Sequence, residues 1–393
     1  MFSIGIDIAK YKHSMAVIGE GGEKILESFE FANTTDGFRQ MLNTLALKGV
    51  RSNNSEVCIE STGHYGQVLA AQLQIHGFEV REVNPILTHN FRKSMSVRKV
   101  KNDNVDASVL AQWLLNGNPT NAKLTKLDFK ELKTLARSRT FLSHIIGDCK
   151  RKILAILDVG FPEYDAFFSD TFGRASLAVL KRWPSSDALA KARIDVISKC
   201  LSNASKNKLG RQSAESLKAL AKNSFALGQA TDAQAFHLSQ LINQIEFTMA
   251  QMEALDAELN RYLNKANTYI TTIPGIGTVC GAVILGELGD ITRFSSASKI
   301  VAFAGYDPSI FESGEFKGTK GHISKRGSSY LRWMLYLAAD RGRRFDPVLS
   351  EYYAKKRGEG KPHKVAMCAV VRKYCNIIFA VLRDNKPYVV ATK

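Results

Sequence analysis

The chain has 393 residues, 45% of them hydrophobic, which is enough for two or three domains with apolar cores. Its net charge of +17 favours a polyanionic partner, and the six cysteines have no CxxC spacing, which argues against a zinc site and a disulfide framework. We see no apolar stretch approaching the ~20 residues that cross a bilayer. The composition therefore predicts a cytoplasmic protein that acts on nucleic acid and has no membrane partner.

Residues 1–118 alternate between strand and helix signals. Strands are predicted near Phe2–Ala9, His13–Ile18, Ile25–Phe31, Val57–Glu60 and Glu79–Val83. Helices are predicted near Asp36–Leu47 and Tyr65–His76, and from Asn104 onward. Three strands in hairpin succession, followed by alternating helices and strands, fit an RNase H-like α/β domain with a mixed sheet.

Acidic residues stand out in this domain because a buried strand rarely carries an unpaired charge. Asp7 ends the first strand, Glu60 ends a later one, and Asp103 and Asp106 open a helix on one face, with Asp103 a plausible N-cap. Clustered carboxylates are costly unless a cation neutralises them, and Mg²⁺ prefers oxygen ligands. The four acids predict a Mg²⁺-dependent phosphoryl-transfer site. Alternatively, Asp103 merely caps a helix while Asp7 and Glu60 pair with Lys or Arg.

Residues 119–267 form a predicted helical region with its longest runs at 129–157 and 233–263. A less regular stretch lies between them, around 183–205. Helices this long often form dimers, and the alternative is a helical bundle within one chain. The sequence assigns no role to the segment 161–223.

Residues 268–393 are predicted to be mainly helical. The turn Ile273-Pro-Gly-Ile-Gly277 precedes an apolar segment and resembles half of a helix-hairpin-helix, whose backbone N–H groups contact phosphates. Gly275 and Gly277 are therefore candidate nucleic-acid contacts. The alternative is a simple connector between helices.

The most basic stretch runs from Glu315 to Lys373, with fifteen Lys and Arg against five Asp and Glu. Within it, 311–332 is rich in glycine, hydroxyl groups and positive charge, a composition typical of a mobile loop laid against phosphates. The candidate phosphate ligands are Lys317, Lys320, Lys325, Arg326 and Arg332. A serine here could act as a nucleophile, and chemistry alone does not choose among Ser313, Ser324, Ser328 and Ser329. The alternative is a solvated basic loop with ordinary turn serines.

Several of these motifs occur together, in one order, along the chain. They are the strand ending in Asp7, Ile59-Glu-Ser-Thr-Gly63, Lys101-Asn-Asp-Asn-Val-Asp-Ala107, Ile273-Pro-Gly-Ile-Gly277, Phe303-Ala-Gly305, and Glu312-Ser-Gly314 followed by Ile323-Ser-Lys325. In this respect the chain resembles the DEDD insertion-sequence transposases, the bridge-RNA-guided DNA recombinases to which pilin-gene DNA invertases are related.

The resemblance implies a RuvC-like domain over 1–118 whose metal ligands are Asp7, Glu60, Asp103 and Asp106. It also implies an oligomerising and RNA-binding helical region over 119–267, and a transposase domain over 268–393 with Ser313 as nucleophile. In such enzymes the acids of one subunit meet the serine of another, and a phosphoserine link conserves the bond energy. The implied partners are donor and target DNA, a structured noncoding guide RNA, and further copies of the chain, as a dimer assembling to a tetramer.

Two other functions compete with this one. A RuvC-like junction nuclease would need the four acids and Mg²⁺ but no covalent serine, and the Glu312-Ser-Gly314 motif argues against it. A nucleic-acid-binding protein without catalysis would explain the charge and leave the strand acids unexplained.

Overall fold

A computed structural model describes residues 1–60, 64–83, 85–95, 103–117, 127–226, 232–308, 312–313, 316–317 and 322–390. The chain forms two compact units. The N-terminal unit comprises Met1–Leu127 together with Asp290–Lys299, and the helical unit comprises Asp128–Gly289 together with Ile300–Lys393. The predicted division at 118 and 267 stays a prediction.

The N-terminal unit is built on five strands and four helices of the described residues. The strands are β1 (Phe2–Ile8), β2 (Lys12–Ile18), β3 (Lys24–Ala32), β4 (Ser55–Glu60) and β5 (Glu79–Val83). The helices are α1 (Thr35–Leu47), α2 (Gly66–Ile75), α3 (Pro85–Met95) and α4 (Asp103–Leu115). All the predicted strands and helices are confirmed within a few residues, whereas α3 was not predicted.

The sheet has the strand order β3-β2-β1-β4-β5. β1 pairs antiparallel with β2, and β2 with β3, while β1, β4 and β5 run parallel. The mixed sheet expected from the order of the elements is therefore confirmed.

Alternation along the strands gives the sheet two apolar faces. Ile6 of β1 and Ile59 of β4 pack with Met41 of α1 and Leu73 of α2 on one face. On the other face, Cys58 packs with Leu110 and Trp113 of α4. Since both faces are covered, the strand ends are the places where polar groups can gather.

The helical unit contains twelve helices and one hairpin among its described residues. The helices are α5 (Leu127–Gly160), α6 (Tyr164–Phe167), α7 (Arg174–Arg182), α8 (Ser186–Lys191), α9 (Ile194–Ser205), α10 (Arg211–Lys222), α11 (Asp232–Lys265), α12 (Thr278–Leu288), α13 (Ala297–Ala304), α14 (Ser329–Gly342), α15 (Pro347–Gly358) and α16 (His363–Asp384). The hairpin strands are β6 (Glu312–Ser313) and β7 (Phe316–Lys317). A 3₁₀ helix at Ile270–Thr272 precedes α12, and α13 begins in the segment assigned to the N-terminal unit.

The two long helical runs are confirmed as α5 and α11, and the less regular stretch between them folds as short helices α6–α10. These short helices share one core with the long ones, to which Leu157 of α5, Leu201 of α9, Leu217 of α10 and Ile242 of α11 contribute. The turns of α5 and α11 that carry these core residues therefore bury their apolar faces within one chain. Dimer formation through their other turns stays a prediction.

Helix α16 corrects one sequence-based statement. It has 22 residues and is long and apolar enough to cross a membrane by length and composition, although no stretch of this kind was expected. Its apolar side, however, is buried in the helical unit, where the Tyr374 hydroxyl donates to the Pro274 carbonyl at 2.6 Å. A mostly buried apolar helix is typical of a protein core.

The segment Asp290–Lys299 belongs to the N-terminal unit although it lies far from it in sequence. A 3₁₀ helix at Ile291–Arg293 leads to Phe294, which is buried. Burial lowers the pKa of Arg293, and the carboxylates of Glu82 and Asp290 oppose this effect. Electrostatic attraction between Arg293 and Glu82 of β5 contributes to holding the segment there.

Candidate active site

Asp7 and Glu60 lie at the ends of neighbouring strands. In the parallel pair β1–β4, Gly5 lies opposite Cys58 and Ile6 opposite Ile59. The next step of this register places Asp7 beside Glu60, on strands about 4.8 Å apart. Both carboxylates therefore lie at the same C-terminal edge of the sheet.

The helix that carries Asp103 and Asp106 covers the same face. A Cβ built on Gly5 would stand 2.1 Å from the Ala107 carbonyl oxygen and 2.4 Å from the Ala111 nitrogen, so α4 touches β1 backbone to backbone. Asp7, two residues after Gly5, and Glu60, two residues after Cys58, point to this face because side chains alternate along a strand. The fold thus brings Asp7, Glu60 and Asp106 to one face of the sheet.

Asp106 is half-buried and forms an ion pair with Arg92 of α3. Because a carboxylate at this depth needs a cationic partner, Arg92 supplies part of the charge balance on this face. Asp7 and Glu60 also have polar or electrostatic partners. Arg92 was not singled out in the sequence, because a separation of 14 residues from Asp106 follows no local pattern.

Cys58 shows the electrostatic character of this face. Burial raises the pKa of its thiol to about 12, with the Arg81 guanidinium acting in the opposite direction and the Glu60 carboxylate adding to the rise. The thiol is therefore neutral, and the oxygen atoms of the acids are the groups on this face that suit a hard cation.

The donor set fits Mg²⁺ in its chemistry, since adjacent carboxylates in register supply oxygen ligands from rigid strands. Among the side chains that the structure describes, no group of three or more His, Cys, Asp or Glu is arranged to hold a metal ion. The side chain of Asp103 lies outside the described part, although α4 begins at that residue. The predicted quartet therefore stays a prediction.

The turn containing Gly275 is packed tightly inside the helical unit. Gly275 has φ +92°, and a Cβ there would stand 2.4 Å from the Ala338 carbonyl oxygen and 2.5 Å from the Gly342 nitrogen of α14. This close backbone contact is enough to require glycine at position 275, with no nucleic-acid contact involved. Gly277 is exposed at the N-terminus of α12, and the phosphate-binding role of both glycines stays a prediction.

Ser313 lies in a β-hairpin, where a mobile loop was predicted. Ser313 pairs with Phe316 and Glu312 with Lys317, so the strands are joined across two residues. An antiparallel bridge between Pro308 and Ile323 flanks this hairpin in the sequence. The side chains of Ser313 and Lys317 lie outside the description, as does the whole of Lys320.

The remaining predicted phosphate ligands, Lys325, Arg326 and Arg332, follow this hairpin in the sequence. Arg326 is exposed and forms an ion pair with Asp307, and Lys325 is exposed with φ +53°. Arg332 is half-buried, and its Nη1 donates to the carbonyl oxygens of Ala304 at 3.2 Å and Arg326 at 3.3 Å. Arg332 therefore holds the backbone of this segment, and contact of all three residues with phosphate stays a prediction.

Two of the four candidate serines have structural partners. Ser328 is the N-cap of α14, where its hydroxyl accepts from the Leu331 amide at 3.2 Å. Ser324 donates its hydroxyl to the Asp307 carboxylate. Such bonds hold a serine hydroxyl in place, which makes Ser324 and Ser328 weaker candidates for a nucleophile.

A family model described as Transposase, of the DEDD type, matches residues 4–162. A second model, described as Transposase IS116/IS110/IS902 family, matches residues 267–354, and together the two matches cover more than half of the chain. The chain belongs to the DEDD transposases of insertion sequences. These enzymes cut and rejoin DNA.

Curated relatives of this transposase match along nearly its whole length. A pilin gene-inverting protein of Moraxella bovis is 25% identical over 98% of this chain and 97% of its own. The insertion element IS900 42 kDa protein of Mycobacterium paratuberculosis is 27% identical over 99% and 97%. The insertion element IS110 43.6 kDa protein of Streptomyces coelicolor is 23% identical over 98% and 95%.

Proposed function

We propose that this transposase cuts and rejoins DNA at specific sites through a phosphoserine intermediate on Ser313, with Asp7, Glu60, Asp103 and Asp106 holding Mg²⁺. The register that sets Asp7 beside Glu60 on parallel strands carries the proposal. The strand order 3-2-1-4-5, with one antiparallel half and one parallel half, supports an RNase H-like and RuvC-like fold for the N-terminal unit. The turn at Gly275 is the helix-hairpin-helix-like element of the transposase domain.

In the proposed step the Ser313 hydroxyl loses its proton and its oxygen bonds to the phosphorus of the DNA backbone. The bond from phosphorus to one deoxyribose oxygen breaks, and that oxygen leaves as a hydroxyl after taking up a proton. One phosphate ester replaces another, so a deoxyribose hydroxyl of an exchanged strand can reverse the step without ATP. Mg²⁺ bound to the carboxylates would offset the negative charge of the phosphate under attack.

Two kinds of nucleic acid are proposed as partners. Donor and target DNA would contact Lys317, Lys320, Lys325, Arg326 and Arg332, and the excess of positive charge over 315–373 supports this. A structured noncoding guide RNA would select the sites by base pairing. The enzyme would work in the bacterial cytoplasm, at the nucleoid.

An oligomer completes the proposal. The acids of one subunit would meet Ser313 of another, in a dimer that assembles to a tetramer. α5 and α11 support this because both are 34 residues long and expose aromatic side chains such as Phe141 and Phe247.

Denaturing gel electrophoresis tests the serine role. Wild type, Ser313→Ala and Ser328→Ala are incubated with Mg²⁺, element-derived RNA and labelled donor and target DNA. We expect a covalent protein–DNA band with wild type and Ser328→Ala, and none with Ser313→Ala. Ser328→Ala is the matched control because it removes only a helix cap, at about 1 kcal/mol. Cleaved DNA without a covalent band in any lane would instead support a metal-dependent nuclease.

A further inference from the structure

A cluster of polar contacts closes the base of the Ser313 hairpin. Pro308 and Ile323 form an antiparallel bridge. Asp307 directly precedes Pro308, and Ser324 directly follows Ile323. The Ser324 amide donates to the Asp307 carbonyl oxygen at 2.8 Å. Asp307 thus stands where the hairpin leaves the helical core.

The Asp307 carboxylate ties the outgoing strand to the returning one. One of its oxygens accepts from the Ser324 hydroxyl and the other from the Arg326 guanidinium. Burial alone would raise the pKa of Asp307, but the hydrogen bonds from Ser324 and Arg326 outweigh it and the pKa is lowered. Asp307 is therefore ionised at neutral pH, in the form that accepts both bonds.

Glycines allow the backbones to touch on either side of this carboxylate. A Cβ on Gly305, which has φ +74°, would stand 2.3 Å from the Arg326 carbonyl oxygen, and one on Gly327, at φ +77°, would stand 2.0 Å from that of Phe303. The Lys325 amide donates to the Gly305 carbonyl at 3.0 Å. The base is thus held by backbone packing on both sides, with the Asp307 side chain between them.

We propose that Asp307 is a positioning residue for Ser313, a role that rests on the proposed phosphoserine chemistry. Ser313 is six residues beyond Asp307 in the sequence, and the contacts of Asp307 close the chain beside the bridge between Pro308 and Ile323. A displacement of the chain at this base is therefore passed on to Ser313, the proposed nucleophile. Because a displacement of 1 Å can slow a reaction about a hundredfold, the carboxylate at the base controls the rate of attack.

The matched control is Asp340 on α14. Its side chain is 24% exposed, the same as that of Asp307, and it also pairs with arginine, at Arg343 and Arg344. Asp340 does not lie at the hairpin base. Asp307→Asn and Asp340→Asn therefore remove the same charge at the same depth.

Two measurements test the role. In hydrogen exchange followed by mass spectrometry, we expect Asp307→Asn to speed exchange in peptides covering 312–317 and 322–327, and Asp340→Asn to leave these peptides at the wild-type rate. At saturating DNA, we expect Asp307→Asn to slow covalent adduct formation about ten- to a hundredfold. Asp307→Glu, which keeps the charge, should recover most of the rate.

The outcomes separate this role from the serine chemistry. If wild type forms the adduct and Asp307→Asn forms it equally fast, or Asp340→Asn slows it as much, the positioning role is wrong. A loss of DNA affinity with an unchanged saturating rate would also overturn it. If wild type forms no adduct, the phosphoserine proposal fails, and hydrogen exchange still decides whether Asp307 holds the hairpin base.

Discussion

Gly5 of β1 lies so close beneath Ala107 of α4 that no side chain fits between them, with 2.1 Å from an added Cβ to the carbonyl oxygen. The contact sets the distance of α4 from the strand that carries Asp7. It therefore fixes how near the helix acids can come to the strand acids. Sheet packing and the candidate metal site depend on the same glycine.

Gly5→Ala should push α4 away from the sheet, because the obstructing atoms are backbone and cannot rotate aside. We expect a loss of about 1–3 kcal/mol in the free energy of unfolding, as for overpacked cores, together with a loss of DNA cleavage. Thermal unfolding and the cleavage assay measure the two effects. Gly160→Ala, where an added Cβ meets nothing within 4 Å, is the control. Wild-type stability in Gly5→Ala would refute the packing argument.

Glu60→Gln should weaken Mg²⁺ binding about tenfold or more, since it removes a charged oxygen ligand and keeps the side-chain shape. Isothermal titration calorimetry with Mg²⁺ alone measures the change. Glu56→Gln is the control because Glu56 is on the same strand and face but pairs with Arg81 at 2.8 Å, at the other end of β4. Equal Mg²⁺ affinity in the two variants would remove Glu60 from the metal site.

Arg137→Met should destabilise the helical unit because it removes the main ion-pair partner of the buried Glu287 carboxylate. Glu287 of α12 is 4% exposed and accepts from Arg137 at 2.6 Å and 3.1 Å, with Lys133 at 3.6 Å. Removing one partner of a buried ion pair costs about 3–5 kcal/mol, and the exposure of Arg137 and the presence of Lys133 place the expected loss at or below the lower end.

Urea denaturation measures the effect of Arg137→Met. Arg211→Met is its control, since it breaks an exposed helix pair with Glu215 and should cost about 0.5 kcal/mol or less. The double variant Arg137→Met/Glu287→Gln should recover part of the loss, because no buried charge is then left unpaired. Equal losses in Arg137→Met and Arg211→Met would contradict the buried-charge explanation.

His13 should make the N-terminal unit less stable in mild acid. Its ring is 1% exposed, and burial lowers its pKa, with the Asn33 side chain opposing. The unfolded chain binds a proton as the pH falls through about 6.5, while the folded ring stays neutral, so stability is complete above that pH and falls below it, by at most about 1.4 kcal/mol per pH unit. The loss of stability stops growing once the pH falls below the pKa of His13 in the folded protein.

Trp113 fluorescence during urea unfolding at pH 7.5 and 5.5 measures this loss, with Trp183 and Trp333 replaced by Phe. His13→Asn keeps an acceptor for the Ala9 amide and should reduce the difference between the two pH values. His237→Asn, at an exposed position, should keep the wild-type difference. An unchanged difference in His13→Asn would assign the acid sensitivity to other groups.

The sequence predicted the sheet and the long helices because their signals are local. Alternation in β1 and the periodicity of α5 follow from which residues face a core, and Asp7 falls on the face of β1 that carries Ser3 and Gly5. The sequence placed Asp7 and Glu60 at the ends of strands, and the structure adds that these two strands are neighbours in register.

The elements that sequence analysis missed depend on distant contacts. α3 mixes polar and apolar residues, and Arg92 in it finds Asp106 only through the fold. The hairpin around Ser313 is closed by Asp307 and Ser324, and the apolar side of α16 is buried in the helical unit. No local pattern separates such a core helix from a membrane helix, nor a glycine-rich hairpin from a loop.

The placement of Asp290–Lys299 in the N-terminal unit affects how genes of this kind can be divided. A fragment ending at residue 127 would lack the segment that carries Arg293 and Phe294. The fragment from residue 128 onward would contain that segment without the N-terminal unit that it packs against. A single crossover between two such genes therefore cannot separate the two units cleanly. Exchange of the whole reading frame keeps both units intact. Hybrid enzymes should be built with this ten-residue segment taken from the same parent as the sheet.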